Sequence, residues 1–152
     1  ITLNLPEATG ATENWVGVNV EGGNVVFEGA DGGVTCADNG ELYCAYVRNG
    51  ANLTINGGSY IAGCTAVHVR QGTLTINGGY FETLSEDGFL INCTDANYRA
   101  NTAQVIIQGG SFLNWNPANN ASEGAGTNFV PAGYTVVEAA VANGTLYTVV
   151  PA

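Results

Sequence analysis

Apolar and polar residues alternate along this chain in short runs that recur. Leu53-Thr54-Ile55-Asn56-Gly57-Gly58-Ser59-Tyr60 returns 21 residues later as Leu74-Thr75-Ile76-Asn77-Gly78-Gly79-Tyr80-Phe81. After a further 31 residues it returns as Val105-Ile106-Ile107-Gln108-Gly109-Gly110-Ser111-Phe112. A degenerate earlier copy begins at Val25-Val26-Phe27-Glu28-Gly29. Ahead of these stands a second alternating run, Ala45-Tyr46-Val47-Arg48-Asn49-Gly50, matched by Val67-His68-Val69-Arg70-Gln71-Gly72. Phe89-Leu90-Ile91-Asn92 continues that series and Val16-Gly17-Val18-Asn19-Val20 begins it, so Val20, Val47, Val69 and Ile91 fall at spacings of 27, 22 and 22. Period-two alternation marks a strand with one buried face, and self-similarity at a near-fixed period marks stacked repeats. The unit is two short strands with glycine turns between them, roughly 22 residues in all.

No unit of that size can bury its own apolar face, but stacking buries it against the next unit, at about 4.8 Å per level. The expected fold is therefore all-β, a parallel β-helix, or solenoid. It should be right-handed, because parallel crossovers almost always are. Leu53, Leu74 and Val105 should form one inward column, Ile55, Ile76 and Ile107 a second, and Tyr60, Phe81 and Phe112 an aromatic third. Period two sends Thr54 and Thr75 outward. Asn56, Asn77 and Gln108 sit at a turn, where stacked amides can hydrogen-bond along the axis. Thr83 to Gly88 reads as a polar turn and Thr94 to Thr102 as an insertion, which accounts for the longer second offset. Ile1-Thr2-Leu3-Asn4-Leu5, followed by Pro6, reads as the first level's strand or as a strand added to a neighbouring subunit.

The repeat stops at Asn114, dividing the chain into β-helix levels over 1–113 and a loop plus hairpin over 114–152. A polar loop through Thr127, anchored by Trp115, leads to strands at Tyr134 to Glu138 and Leu146 to Val150. The turn between them, around Ala142-Asn143-Gly144, carries a strong hairpin signal. Such a hairpin would cap the open end of the stack, whose last strands would otherwise polymerise.

Composition fits strands joined by tight turns. Of 152 residues 22 are Gly and 4 Pro, and only 11% are charged. The net charge of −10, with three Arg and no Lys, argues against nucleic acid, which requires a basic face. It argues equally against an anionic membrane surface. No apolar run reaches a membrane-spanning length and no leader is visible, so membrane insertion is not expected. The first residue is Ile1, which reads as processing or trimming. Four N-x-Ser/Thr sequons, at Asn52, Asn92, Asn120 and Asn143, carry little weight, since about two arise by chance in a chain this rich in Asn, Ser and Thr. Four cysteines permit two disulfides and an oxidising compartment. Cys36 lies nine residues after Phe27 and Cys64 nine after Ile55, which should bring this pair together on neighbouring levels. Cys36 with Cys44 is the rival pairing; under the first scheme Cys44 and Cys93 stay free.

The NGG-aromatic repeats end in GGSFLNWNPANNASEGAGTNFVPAGYTVVE, followed by a TLYTVV strand. This combination resembles β-helix segments of virion fibre and spike proteins of phages of gut-associated bacteria, and similar ends of secreted bacterial surface proteins. The resemblance covers about residues 45–150, and the NWNPANN–EG–GTNFV–GY run is its most specific part. It implies a structural or adhesive role outside the cell, on a virion or cell surface, with self-association as a trimer or filament. It carries over no catalytic residue.

Candidate chemistry is sparse. Without Lys there is no phosphate-binding P-loop, and no nucleophile elbow, zinc-protease or calcium-loop pattern occurs. No cofactor or metal site is expected. His68, the only His, lies between inward Val67 and Val69 and so faces outward. Polysaccharide-cleaving β-helices place carboxylates on one outer face. Here the outward positions are Thr54, Thr75 and Ile106, or Tyr46, His68 and Leu90, and none is acidic. Asp38 and Asp87 fall at equal offsets after Phe27 and Ile76. At two levels apart, about 10 Å, they lie slightly beyond the range of an inverting pair. The stronger feature is the outward strip of Tyr46, Arg48, His68 and Arg70. Its two stacked guanidiniums repel unless an anion or partner neutralises them. Either nearby Asp or Glu of the same subunit pair with it, or the strip is the candidate subunit interface or cell-surface glycan contact. The expectation is a non-enzymatic structural or adhesive protein, with a polysaccharide-binding or polysaccharide-cleaving protein as the alternative.

Overall fold

The computed structural model describes residues 1–5, 15–38 and 40–152, so Pro6 lies outside the described residues. The chain is mostly strand. In order these are β1 (Thr2–Leu5), β2 (Trp15–Val20), β3 (Asn24–Phe27), β4 (Gly33–Cys36), β5 (Leu42–Val47), β6 (Ala51–Ile55), β7 (Ser59–Ala62) and β8 (Val67–Val69). They continue with β9 (Gly72–Ile76), β10 (Tyr80–Thr83), β11 (Ile91–Cys93), β12 (Ala103–Ile107), β13 (Ser111–Leu113), β14 (Tyr134–Val141) and β15 (Gly144–Pro151). Up to β13 the chain visits three sheets in strict rotation. The first holds β1, β4, β7, β10 and β13, the second β2, β5, β8 and β11, and the third β3, β6, β9 and β12. Every pairing among these strands is parallel. One passage through the three sheets is called a level below.

Register places like on like. Leu53 pairs with Leu74 and Leu74 with Val105, while Ile55, Ile76 and Ile107 pair in the same way. The degenerate copy extends both files, through Val25 and Phe27. All three isoleucines are fully buried, as are Leu53 and Leu74. Thr54 and Thr75 pair with each other and face outward, half-buried. In the first sheet Tyr60, Phe81 and Phe112 are successive partners, and their rings stack at 5.1 and 4.9 Å. Offset stacking of this kind adds to the burial of large apolar rings. The file is longer than the repeat alone indicates. Phe27 joins it below Tyr60, and Trp115, Phe129 and Tyr98 continue it beyond Phe112.

The turn after the isoleucine file explains the repeated Asn-Gly-Gly. Gln108 Nε2 donates to Asn77 Oδ1 at 2.7 Å, Asn77 Nδ2 to Asn56 Oδ1 at 2.8 Å, and Asn56 Nδ2 to Glu28 Oε1 at 2.7 Å. The first glycine lies directly over the previous turn. A Cβ on Gly78 would meet the Asn56 carbonyl oxygen at 2.5 Å, and one on Gly109 the Asn77 carbonyl oxygen at 2.0 Å. The second glycine has positive φ, +107° at Gly79 and +89° at Gly110, a conformation that side chains disfavour.

Four expectations need correction or added detail. Ile91 pairs with Val67, and Cys93 with Val69, so the Val20–Val47–Val69 column continues into Cys93. The polar turn between β10 and β11 runs through residues 84–90 and shifts the register by two. As a result Leu90 is fully buried, and Asn92 occupies the outward position next to His68. Second, Cys36 and Cys64 do not meet. β4 pairs with β7 so that Thr35 faces Ile61, which leaves Cys64 beyond the strand, and all four thiols are free. Third, the insertion after Thr94 forms one helical turn, α1 (Asp95–Arg99), with an acid in its first turn and a base in its last. Fourth, the hairpin strands are longer than the sequence pattern indicates. The hairpin also shares the capping role. β15 pairs antiparallel with β13 and β14 with β15, which extends the first sheet. The preceding loop covers the other two sheets. Phe129 O accepts from Ile107 N–H at 2.9 Å above the third sheet, and Glu123 Oε1 accepts from Cys93 N–H at 2.6 Å above the second. Trp115 and Phe129 are buried beneath that loop.

Ile76→Ala, in the centre of the inward file, should cost about 2–5 kcal/mol in urea unfolding. Thr75→Ala, one residue away on the outer face, should cost well under that, within about 1 kcal/mol. Equal losses at both positions would contradict the alternation. Gly109→Ala should destabilise by more than the ~1 kcal/mol typical of a point substitution, because its new methyl meets backbone rather than a movable side chain. Thermal unfolding of that variant is the check.

Candidate functional site

The second sheet carries the outward strip. Its strands place Asn19, Tyr46, His68 and Asn92 in one file of partners. Tyr43 joins them because β5 breaks its alternation. Cys44 and Ala45 are both fully buried, so the tyrosines on either side both turn outward. The three rings are nearly parallel. Tyr46 and His68 lie 5.1 Å apart at 11°, Tyr43 and His68 5.9 Å at 12°, and Tyr43 and Tyr46 6.4 Å at 8°.

Arg48 and Arg70 follow the inward Val47 and Val69, which are partners. The two guanidiniums differ in their surroundings. Arg48 is half-buried and donates through Nη2 to Glu21 Oε1, forming the single ion pair among the described residues. Asn19 Nδ2 donates to the same oxygen at 2.8 Å. Arg70 is exposed and has no ion-pair partner among the described residues. A surface cavity of about 320 Å³ is lined by Val16, Asn19, Tyr46, Arg48 and Arg70.

His68 Nε2 lies 3.0 Å from Thr94 Oγ1. Burial holds the imidazole below its usual 6.5, the Arg70 charge pushes it the same way, and Asp95 opposes both. At neutral pH the strip is therefore a row of uncharged rings flanked by one compensated and one free guanidinium. Such a surface can stack against apolar ring faces and pair with an anionic group. His68 bonds to a hydroxyl rather than to a carboxylate, which is not the geometry that orients a general base.

The carboxylates considered for polysaccharide cleavage do not gather here. Asp38 Oδ1 accepts the Gly40 N–H at 3.0 Å, closing its own turn. The backbone of Asp38 and Gly40 packs against Gly63, and that of Cys64 against Gly88, which leaves Asp38 and Asp87 two levels apart. A different acidic pair does form. Asp95 and Glu123 approach at the end of the second sheet beside Cys93, where burial pushes the Glu123 carboxyl above 4.5 and the Cys93 thiol upward. Its visible work is structural, since Glu123 takes the Cys93 N–H that no further strand accepts. Nothing in the sequence signals that contact, which joins residues thirty positions apart. Tyr43 was readable in principle from the consecutive apolar Cys44 and Ala45.

Comparison with known proteins finds no matching family model, curated protein or solved structure.

The His68 environment sets a pH dependence. Its folded pKa is lowered, so between 6.5 and that lower value the unfolded chain binds the proton more readily. The neutral-imidazole contribution to stability is complete above about pH 6.5 and is lost as pH falls through this window. His68→Asn places in the file the residue already found one level away at Asn92, and should flatten the midpoint-versus-pH curve there. Glu123 has the opposite sign, because its raised carboxyl favours the folded state at acid pH. Unchanged curvature in His68→Asn would remove His68 as the cause.

Proposed function

We propose that this chain is a segment of right-handed parallel β-helix serving as a non-enzymatic structural and adhesive element outside the cell, on a virion or a cell surface. The observation that carries this reading is the strict rotation through three parallel sheets, with like apolar residues paired along the inward files of the third. A stack of this kind gains rigidity from ladders along its whole length and repeats its outer surface at each level. That suits a shaft or a display surface. The sequence resemblance to virion fibre and spike segments points the same way.

Self-association is part of the proposal, as a trimer or a filament. β14 pairs only with β15 among the described residues, leaving an eight-residue strand edge with Val137 and Val141 exposed. A long apolar edge of this kind is a template for strand pairing. The ring row with Arg70 supports a second element of the reading, contact with an acidic glycan. Tyr43, Tyr46 and His68 offer ring surface, and Arg70 offers a charge for a carboxylate or sulfate.

Electron microscopy and light scattering of the purified protein should show trimers or filaments at micromolar concentration; a strict monomer at all concentrations would remove self-association. On a panel of neutral and acidic glycans, the protein should retain acidic ones. Arg70→Ala should weaken that retention about 10-fold or more, the scale of one charge-assisted hydrogen bond. Binding that ignores Arg70→Ala and Tyr46→Ala would place any glycan contact elsewhere. Release of reducing ends from the same panel would instead establish a polysaccharide-cleaving enzyme.

A further inference from the structure

We propose that Cys36 and Cys44 form an intramolecular disulfide that staples the corner between β4 and β5 when the chain folds under oxidising conditions. Cys36 is the last residue of β4 and Cys44 lies within β5, with residues 37–43 between them. Both side chains point into the core and are buried. Their hydrogen bonds cross. Cys36 Sγ donates to Leu42 O at 4.0 Å, and Cys44 Sγ donates to Val34 O at 3.7 Å. Each sulfur thus reaches the carbonyl two residues before the other cysteine, which is possible only where the two strands converge. The proximity of the two sulfurs holds the Cys36 thiol below its ordinary value and raises that of Cys44, whose burial adds to the rise.

The other two cysteines have no such partner. Cys64 lies outside the strand register of Cys36, and its described thiol contact is with Thr65 Oγ1 at 3.9 Å. Cys93 ends the second sheet beside Glu123 and Asp95. Cys44 stands two strands away from it in that sheet, with β8 between.

The bond needs an oxidant, and a small-molecule disulfide such as oxidised glutathione supplies it. The Cys36 thiolate attacks one sulfur of that disulfide, forming a mixed disulfide and releasing one thiolate. The Cys44 thiolate then attacks the Cys36 sulfur, closing the protein disulfide and releasing the second thiolate. Two S–H bonds are lost, one S–S bond is gained, the oxidant is reduced to two thiols, and the two protons pass to the released thiolates. Because both sulfurs are buried in the folded chain, exchange occurs during folding, and the finished bond is shielded from reductants.

The test refolds the full chain from denaturant in a glutathione redox buffer, quenches exchange, alkylates in denaturant and counts labelled thiols by mass. Two of the four should be protected on a monomer, with peptide mapping joining Cys36 to Cys44. The oxidised protein should unfold at higher urea than the reduced one, and a reductant should act on it only with denaturant present. Cys36→Ser should restore full labelling. The Cys64→Ser/Cys93→Ser double variant, which keeps the corner intact, should still lose both remaining thiols. Four labelled thiols after refolding, or a bond mapped to Cys36–Cys64 or any other pair, would overturn the proposal, whether or not Cys36→Ser folds.

Discussion

The structure depends on one constraint, the parallel hydrogen-bonded register that sets each level directly over the one before. At roughly 4.8 Å per level, whatever a residue does sideways it must also do toward its own counterpart above and below. Isoleucine over isoleucine, phenylalanine over phenylalanine and amide over amide all satisfy this. A charge over a like charge does not. That accounts for a chain with only 11% charged residues, whose acids among the described residues fall mostly outside the strands. It also accounts for the guanidinium of Arg48, one level from Arg70, being paired with Glu21. The same constraint selects glycine at 78 and 109, where the backbone of one turn lies against the backbone of the last.

A ladder of this kind must end, and each sheet ends differently. The first sheet continues into an antiparallel hairpin, the third gives its Ile107 N–H to a loop carbonyl, and the second gives its Cys93 N–H to a carboxylate. The aromatic file crosses from the repeats into the covering loop through Trp115 and Phe129. Trp115 brings a cost, since its Nε1 is buried with no hydrogen-bond partner among the described residues. The ring surface it adds over Phe112 offsets that cost.

The parts of this fold that were legible in the sequence are those where stacking repeats a residue. Leu53, Leu74 and Val105 announce a shared file because the pattern around them recurs with their spacing. The amide ladder was legible for the same reason, although its first member, Glu28, was not, being the one acid in a file of amides. Legibility failed where the turn lengths change. Nothing in the run before Ile91 reveals that the turn takes two extra residues, so Leu90 reads as outward when it is buried. The cysteines failed similarly. Counting from Phe27 and Ile55 assumes that the turns after them are equal, whereas β4 and β7 are fixed by Val34 against Tyr60. The covering role of Glu123 depends on a long-range contact in a segment that repeats nothing.

The division between interior and exterior also bears on what recognition this chain can support. Inward positions are held by the stack, because a change there is felt by the levels on both sides. Outward positions on the second sheet are not bound in this way, and there the file reads Asn19, Tyr46, His68, Asn92, with no two neighbours alike. Variation on a surface that the fold leaves free marks where binding character can reside. The break in alternation at Cys44 and Ala45 turns Tyr43 toward this same surface, adding a third ring that strict alternation would have buried. The corner that produces this break is also the one where Cys44 faces Cys36. The placement of the ring row and the packing of the two sulfurs are therefore consequences of a single irregularity in β5.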